Sequence, residues 1–241
     1  MMRYKPEYDF EALEYDKSRF SDTVGMYIDT YQKQIIHKLL MKKNSDKILL
    51  DLGVGTGRFS LMLSKQGYNV VGVDISLEMI KQTKLKNSNI GDKIHLLQTD
   101  VHYLPFRKGK IHTCTCINVV NHLRDVSIFL KEVNFVSEKE GEFIINFHNL
   151  LSIYFPFALI VNLTKRSFFN RNITAKWFTP KEVYKLMHEA GFFIDDIKGC
   201  MIITPLIFSR LLTIIQIIND KFEKSRYKFL SGNLFVRACA R

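Results

Sequence analysis

The stretch Lys47–Gly57, K-I-L-L-D-L-G-V-G-T-G, limits what this chain can fold into more than any other. Its apolar run Ile48–Leu50 is typical of a strand buried on both faces of a parallel sheet. Three glycines follow at alternate positions, and apolar residues at helical spacing come next. The pattern therefore predicts a strand, a tight glycine turn and a helix. Such a turn lets a ligand approach bare backbone beside the free N–H groups of a helix N-terminus.

The glycine spacing separates two classes of ligand. The dinucleotide fingerprint is G-x-G-x-x-G, whereas Gly53, Gly55 and Gly57 form G-x-G-x-G, and Arg58 occupies the position of the third dinucleotide glycine. Asp51, at the end of the predicted strand, would repel a pyrophosphate but could hold an ammonium group. The pattern therefore favours a ligand with an amino-acid end and no phosphate, although an ordinary strand-to-helix turn can carry the same glycines.

Two further predicted strands also end in an aspartate. The run Asn69–Val73 is followed by Asp74, and the run Ile94–Thr99 is followed by Asp100. Asp74 lies 17 residues after Gly57, close to the interval of about 20 expected for an acid that binds ribose hydroxyls. In a parallel sheet the three strand ends lie on one edge, which is where ligands bind.

Four motifs follow one another along the chain: D-L-G-V-G-T-G at 51–57, V-D-I-S at 73–76, T-D-V-H-Y-L-P-F at 99–106 and N-V-V-N-H-L-R-D at 118–125. Their order and spacing resemble the class I S-adenosylmethionine-dependent methyltransferases, and most of all the small-molecule branch that includes quinone-biosynthesis enzymes. The resemblance implies S-adenosyl-L-methionine as cofactor and S-adenosyl-L-homocysteine as its product. It also implies an α/β fold, a doubly wound seven-stranded Rossmann-like sheet of order 3-2-1-4-5-7-6 whose last strand is antiparallel.

The same resemblance implies which residues hold the cofactor. The methionine end is expected at Asp51 and the glycine loop, the ribose hydroxyls at Asp74 and the adenine amino group at Asp100. Ile75 is expected to pack on the adenine, the Val101 N–H to donate to its ring, and Asn118 to close the pocket. The predicted cofactor-binding set is Asp51, Gly53, Gly55, Gly57, Asp74, Ile75, Asp100, Val101 and Asn118.

Two histidines follow predicted strands four and five, which are Ile111–Ile117 and Glu142–Phe147. Methyl transfer from a sulfonium needs alignment and exclusion of water more than a strong catalytic group. An imidazole of near-neutral pKa could nevertheless take a proton from the acceptor. We therefore expect His122 to be the candidate catalytic residue and His148 to face the substrate, the alternative being ordinary loop histidines satisfied by hydrogen bonds.

The chain is expected to form one domain over residues 1–241 with two appended segments. Residues 1–27, which contain Tyr15-Asp16, are predicted to be a lid over the cofactor or a surface helix. Residues 149–178 are predicted to be a small inserted cap. Its apolar run Leu150–Leu163 is too short to span a bilayer, which leaves a substrate cap, a buried helix or a peripheral membrane contact as interpretations.

Composition leaves the acceptor open. The formal net charge of +11 permits an anionic partner such as RNA or a membrane surface, yet the lysines are spread along the chain as on a solvated surface. The N-terminus lacks the apolar run of a signal peptide, and the four cysteines suggest buried thiols in a reduced cytoplasm. No acid triplet or cysteine spacing predicts a metal site.

The sequence thus predicts methyl transfer to oxygen or nitrogen of a small-molecule acceptor by in-line displacement. Two alternatives stay open, namely an RNA methyltransferase that uses the basic surface and a non-catalytic protein that only binds the cofactor. The glycine spacing disfavours an NAD-dependent oxidoreductase.

Overall fold

The computed structural model describes residues 7–40, 47–91, 93–153, 155–156, 175–203, 212–223 and 225–241. Most of the predicted cap and the start of the helix expected from Pro205 therefore lie outside the described residues.

Seven strands form a single sheet of order β3-β2-β1-β4-β5-β7-β6. Strand β7 pairs antiparallel with both β5 and β6, whereas the other neighbours pair parallel. This confirms the predicted fold class and strand order. The strands are β1 (Ile48–Leu52), β2 (Asn69–Asp74), β3 (Ile94–Gln98), β4 (Ile111–Cys116), β5 (Ser137–His148), β6 (Phe192–Cys200) and β7 (Asn233–Ala240).

Helices cover both faces of the sheet. In the described ranges they are α1 (Tyr15–Phe20), α2 (Thr23–Leu39), α3 (Arg58–Lys65), α4 (Leu77–Ser88), α5 (Val126–Val136), α6 (Pro180–Glu189) and α7 (Leu212–Glu223). Short 3₁₀ turns occupy Glu7–Phe10, Val120–His122 and Arg226–Leu230. None of these described helices has the length and apolarity needed to cross a membrane.

The side chains on the two faces of β5 pack into two separate clusters of the core. Ile144 belongs to a cluster with Tyr31 of α2, whereas Phe143 on the opposite face belongs to a cluster with Phe129 of α5. Successive side chains of a strand point to opposite faces, so this alternation requires a helix layer on each side. The sheet is thereby buried centrally, and its functional groups are confined to its edge and to the loops beyond it.

Local sequence signals explain the helix ends. Thr179 and Glu182 form the capping box of α6, since each accepts a hydrogen bond from the backbone N–H of the other. Ser76 and Asp125 cap α4 and α5 in the same general way.

Strand β5 begins at Ser137 rather than at the predicted Glu142. Helix α5 passes directly into the strand, and the pairing with β4 shifts register between Ile111 and Thr113. Glu140 has a φ of 62° at this irregularity, and an irregular, charged stretch of this kind lacks the apolar alternation by which a strand is predicted.

His148 closes β5 in a largely apolar setting. Its backbone N–H donates to Asn121 Oδ1 at 3.0 Å, and its ring lies 5.1 Å from that of Trp177. The ring atom Nδ1 is buried and has no hydrogen-bond partner among the described residues. Burial, helped by the nearby His122, lowers the pKa of His148 to about 4.

This histidine should make the fold acid-sensitive. Between pH 6.5 and about 4 the unfolded chain binds a proton at His148 that the folded chain does not bind, so the free energy of unfolding falls as the pH falls. The contribution of His148 to that fall should be at most roughly 3 kcal/mol. Urea unfolding at pH 7 and pH 4.5 should show a smaller fall for His148→Phe than for the wild type, while His95→Phe at an exposed position should behave like the wild type. Parallel pH dependence of all three proteins would contradict the buried neutral imidazole.

Candidate functional site

A cavity of about 690 Å³ lies at the carboxyl edge of β1, β2 and β4, within the usual range of about 300–1,000 Å³ for ligand sites. Most of the predicted site residues line it: Gly53, Gly55, Asp74, Ile75, Asp100, Val101, Asn118 and His122. Asp51 and Gly57 do not belong to the lining.

The glycine loop presents bare backbone to this cavity. Gly53 has a φ of 76°, and a Cβ there would lie 2.3 Å from Val119 Cγ2, so only glycine fits. Gly55 has a φ of 54°, and the nearest atom to a Cβ there is the Gly53 carbonyl oxygen at 4.0 Å. Open space therefore lies beside Gly55, where a ligand can approach the main chain. Gly57, with a φ of 81°, is the N-cap of α3.

Asp74 joins this loop to the end of β2. Its Oδ2 accepts a hydrogen bond from the Gly55 N–H at 2.8 Å, and its Oδ1 accepts one from the Ser76 N–H at 2.9 Å. Burial raises the pKa of Asp74, and these hydrogen bonds oppose that shift. Each carboxylate oxygen can accept more than one hydrogen bond, so Asp74 can hold the loop and still accept from ligand hydroxyls.

Asp51 is buried inside the fold and does not line the cavity. It belongs to β1, is 3% exposed, and accepts hydrogen bonds from Ser60 Oγ at 2.6 Å and Thr115 Oγ1 at 2.8 Å. Burial raises its pKa, and the two hydroxyl donors oppose that rise. The carboxylate thus lies inside the fold, where it joins β1 to β4 and to α3. The contact of Asp51 with an ammonium group therefore stays a prediction from the sequence.

The adenine side of the predicted site contains Asp100, Val101 and Ile75. Asp100 Oδ1 accepts hydrogen bonds from the backbone N–H of His102 at 2.9 Å and lies 2.7 Å from its Nδ1. Ile75 is 42% exposed although it is apolar, as expected of a side chain that a ligand covers. His102 also lines the cavity and was not predicted as a site residue; its position two residues after Asp100 was the available signal.

Asn118 closes the cavity from the end of β4. It has a φ of 62°, an uncommon left-handed conformation for a residue other than glycine. Its N–H donates to Asn146 Oδ1 at 2.6 Å, and its Oδ1 accepts from Asn146 Nδ2 at 2.9 Å. This paired exchange fixes the strained residue in place.

Arg58 is a second lining residue that the sequence did not single out for the site. Its Nε and Nη2 atoms donate to Asp29 Oδ1 at 2.8 and 2.6 Å, and its guanidinium carbon lies 3.5 Å from the centre of the Phe20 ring. Because Asp29 balances its charge, Arg58 acts as part of the wall rather than as a phosphate-binding cation.

The N-terminal segment 7–20 lies over the cavity, and Tyr8 and Tyr15 line it. Asp16 accepts a hydrogen bond from Thr56 Oγ1 at 2.6 Å and pairs with Lys86. Asp9 accepts from Ser76 Oγ. The segment is therefore attached both to the glycine loop and to the loop that follows β2.

The far wall of the cavity carries His122, whose ring keeps part of its surface exposed. The Tyr8 ring meets it edge-on at 5.5 Å. Partial burial, and then the positive charge of Arg19, lower the pKa of His122. An imidazole with a lowered pKa is neutral at pH 7 and can accept a proton.

Aromatic rings continue beyond His122 at the end of β5. Trp177 lies 5.1 Å from His148 and 5.0 Å from Phe155, centre to centre. We call Phe155, Trp177 and His148 the aromatic cluster. Tyr154 and Phe157 of the predicted cap lie outside the described residues.

The groups around the cavity fit S-adenosylmethionine. Open backbone beside Gly55 suits an amino-acid end, the Asp74 carboxylate suits a pair of hydroxyls, and Asp100 beside Ile75 suits a flat base with an amino group. The lining carries two carboxylates, Asp74 and Asp100, and two guanidinium groups, Arg58 and Arg124.

Known proteins agree with this arrangement. A family model described as a methyltransferase domain matches residues 50–145. The ubiquinone biosynthesis O-methyltransferase of Rickettsia canadensis is 26% identical over 170 residues, covering 68% of this chain and 71% of that protein.

Two solved structures share the fold. A methyltransferase of Thermotoga maritima described as a possible histamine N-methyltransferase has a TM-score of 0.72 at 18% identity, covering 97% of this chain and 98% of its own. The magnesium protoporphyrin IX methyltransferase of Synechocystis, solved with S-adenosylhomocysteine, has a TM-score of 0.68 at 15% identity, covering 97% of this chain and 96% of its own. The motifs, the domain model and the Rickettsia relative together support a class I S-adenosylmethionine-dependent methyltransferase.

Proposed function

We propose that this enzyme methylates a hydroxyl or amino group of a small, largely apolar acceptor. The observation that carries the proposal is the N-terminal segment over the cavity, where Tyr8 and Tyr15 form part of the wall. An RNA acceptor would need an open groove lined by lysine and arginine. A cavity covered in this way suits a molecule small enough to be enclosed with the cofactor.

The relatives support the same class of acceptor. The names of the Rickettsia, Thermotoga and Synechocystis proteins each refer to a small molecule: ubiquinone biosynthesis, a possible histamine N-methyltransferase and magnesium protoporphyrin IX. The first of these is an O-methyltransferase and is the one with clear sequence similarity. We therefore favour a hydroxyl over an amino group as the methylated site.

When bound, S-adenosylmethionine supplies a methyl group on a positively charged sulfur, which an aligned nucleophile takes by in-line displacement. The protein contributes alignment through Asp74 and Asp100, which fix the ribose and the adenine. Tyr8 and Tyr15 keep water from the reacting atoms. His122 accepts the proton that the acceptor loses, because its ring is neutral at pH 7 and faces the cavity.

The aromatic cluster is the proposed apolar wall for the acceptor. It adjoins the loop that bears His122, since the His148 N–H donates to Oδ1 of the preceding residue Asn121 at 3.0 Å. Its rings offer a large apolar area with few polar atoms, so they favour a flat or hydrocarbon acceptor.

Asp74→Asn tests the cofactor site. The change keeps the side-chain shape but removes an acceptor, so the affinity for S-adenosylhomocysteine should fall by about 1–3 kcal/mol. Isothermal titration measures the effect, and Asp220→Asn at an exposed position of α7 is the matched control. Equal affinity of the two variants would remove Asp74 from the site, and tighter wild-type binding of NAD than of S-adenosylhomocysteine would argue against the whole assignment.

His122→Asn tests proton transfer. Single-turnover measurement should show a rate of methyl transfer roughly 100-fold lower, with the affinity for S-adenosylhomocysteine nearly intact. His95→Asn, at an exposed position of β3, should keep the wild-type rate. A wild-type rate in His122→Asn would show that His122 takes no part in proton transfer and has only a structural role.

The pH profile tests the same role independently. Because the pKa of His122 is lowered from 6.5, the wild-type kcat/KM should keep its maximal value at pH 7. It should fall only below pH 6.5. Arg19→Gln should move this acid limb to higher pH by removing a positive charge, whereas Arg19→Lys should leave it in place. An acid limb that does not respond to Arg19→Gln would contradict the proposed base.

The aromatic cluster can be tested once an acceptor is known. A screen of metabolite extracts with labelled cofactor identifies it. Replacing Phe155 and Trp177 by serine should then raise the acceptor KM at least 10-fold with cofactor affinity close to the wild type. Label that enters RNA, at a rate that falls steeply with salt, would overturn the small-molecule proposal.

A further inference from the structure

His102 stands between two groups that can only accept hydrogen bonds. Its Nδ1 lies 2.7 Å from Asp100 Oδ1, and its Nε2 lies 3.0 Å from the backbone oxygen of Asp125. An ionised carboxylate and a carbonyl both lack a hydrogen to donate. The ring can therefore only donate to these two groups, and its contact with the Asp100 carboxylate is the shorter of the two.

This contact leaves one oxygen of Asp100 for a ligand. Oδ1 accepts from both the backbone N–H and the ring of His102. In the described part of the chain no hydrogen bond reaches Oδ2, and the Asp100 side chain is 41% exposed while that of His102 is 13% exposed. The pair thus presents a single carboxylate oxygen of fixed orientation to the cavity.

We propose that His102 is a positioning residue for the adenine of the cofactor. It fixes the Asp100 carboxylate so that Oδ2 accepts from the adenine amino group. The inference rests on the proposed contact between Asp100 and adenine. It adds a residue of this chain that selects a 6-amino purine over a 6-oxo purine.

The loop 99–106 has other attachments to the fold. A role of His102 in positioning Asp100 can therefore be distinguished from a role in supporting the loop. That loop is also held to α5 by the Leu104 N–H, which donates to Glu132 Oε1 at 2.9 Å. The Phe129 ring lies 6.5 Å from His102. The Asp125 side chain is engaged with the Ile128 N–H at 2.9 Å. The loop therefore keeps an attachment to α5 when the His102 side chain is changed.

Two variants of His102 each keep one of its two side-chain contacts, either with Asp100 or with the Asp125 oxygen. The amide of His102→Asn lies near the position of Nδ1 and can donate to Asp100 but not reach the Asp125 oxygen. The amide of His102→Gln lies near the position of Nε2 and can reach the Asp125 oxygen. If His102 acts through Asp100, His102→Asn should keep the preference for an adenine base, and His102→Gln should lose it.

Isothermal titration with S-adenosylhomocysteine and S-inosylhomocysteine gives the decisive readout. The inosine compound carries a carbonyl oxygen in place of the adenine amino group, so the ratio of the two affinities reports the contact with Asp100. We expect His102→Gln to lower the wild-type preference for S-adenosylhomocysteine at least 5-fold, and His102→Asn to keep it within about 2-fold. His95→Asn is the control at an exposed position of the neighbouring strand.

The outcomes separate the possible failures. An unchanged preference in both variants, whatever their melting temperatures, overturns the proposal and leaves His102 as a support for the loop. An unchanged preference in Asp100→Asn refutes the adenine contact on which the proposal rests. Failure of the wild type to bind S-adenosylhomocysteine would instead refute the proposed cofactor site itself.

Discussion

The glycine loop is held by three consecutive N–H groups that all point at the end of β2. Gly53 and Val54 donate to the Val73 carbonyl oxygen at 2.8 and 2.9 Å, and Gly55 donates to the Asp74 carboxylate at 2.8 Å. These bonds turn the chain sharply enough to start α3 while its backbone faces the cavity. Without them the loop would have no fixed place between the ends of β2 and β4, and the cofactor site would lack its central wall.

Specific charge pairs surround the cavity of this basic protein. The chain has a formal net charge of +11, yet cationic side chains beside the site are paired with acids. Arg58 pairs with Asp29, and Lys86 pairs with Asp16. Asp74 is stabilised by backbone donors. Its negative charge is therefore available to a ligand that carries hydroxyl groups and a positive sulfur, and the lysines elsewhere remain a solvated surface.

Side-chain contacts join the N-terminal segment 7–20 to the glycine loop. Asp16 touches both the Thr56 hydroxyl and Lys86, and the Lys86 ammonium also donates to the Thr56 carbonyl oxygen at 2.9 Å. A ligand that orders the glycine loop should therefore also favour closure of the segment that bears Tyr8 and Tyr15. This coupling connects cofactor binding with the exclusion of water from the methyl group.

The sequence by itself indicated the parallel strands, because a buried apolar run that ends in an aspartate marks a strand end and parallel strands bring such ends to one edge. That reasoning placed Asp74 and Asp100 at the cavity, whereas the strand order and the place of Asn118 came from the family resemblance of the motifs. Tertiary structure decided the direction of Asp51, since β1 continues through Leu52 and Asp51 pairs with Thr115 inside the sheet. It also decided the Asp16–Thr56 contact and the contact of His102 with the Asp125 carbonyl oxygen, because these groups lie 40 and 23 residues apart in the chain. A local pattern carries no information on such meetings, which depend on how the loops pack once the sheet has formed.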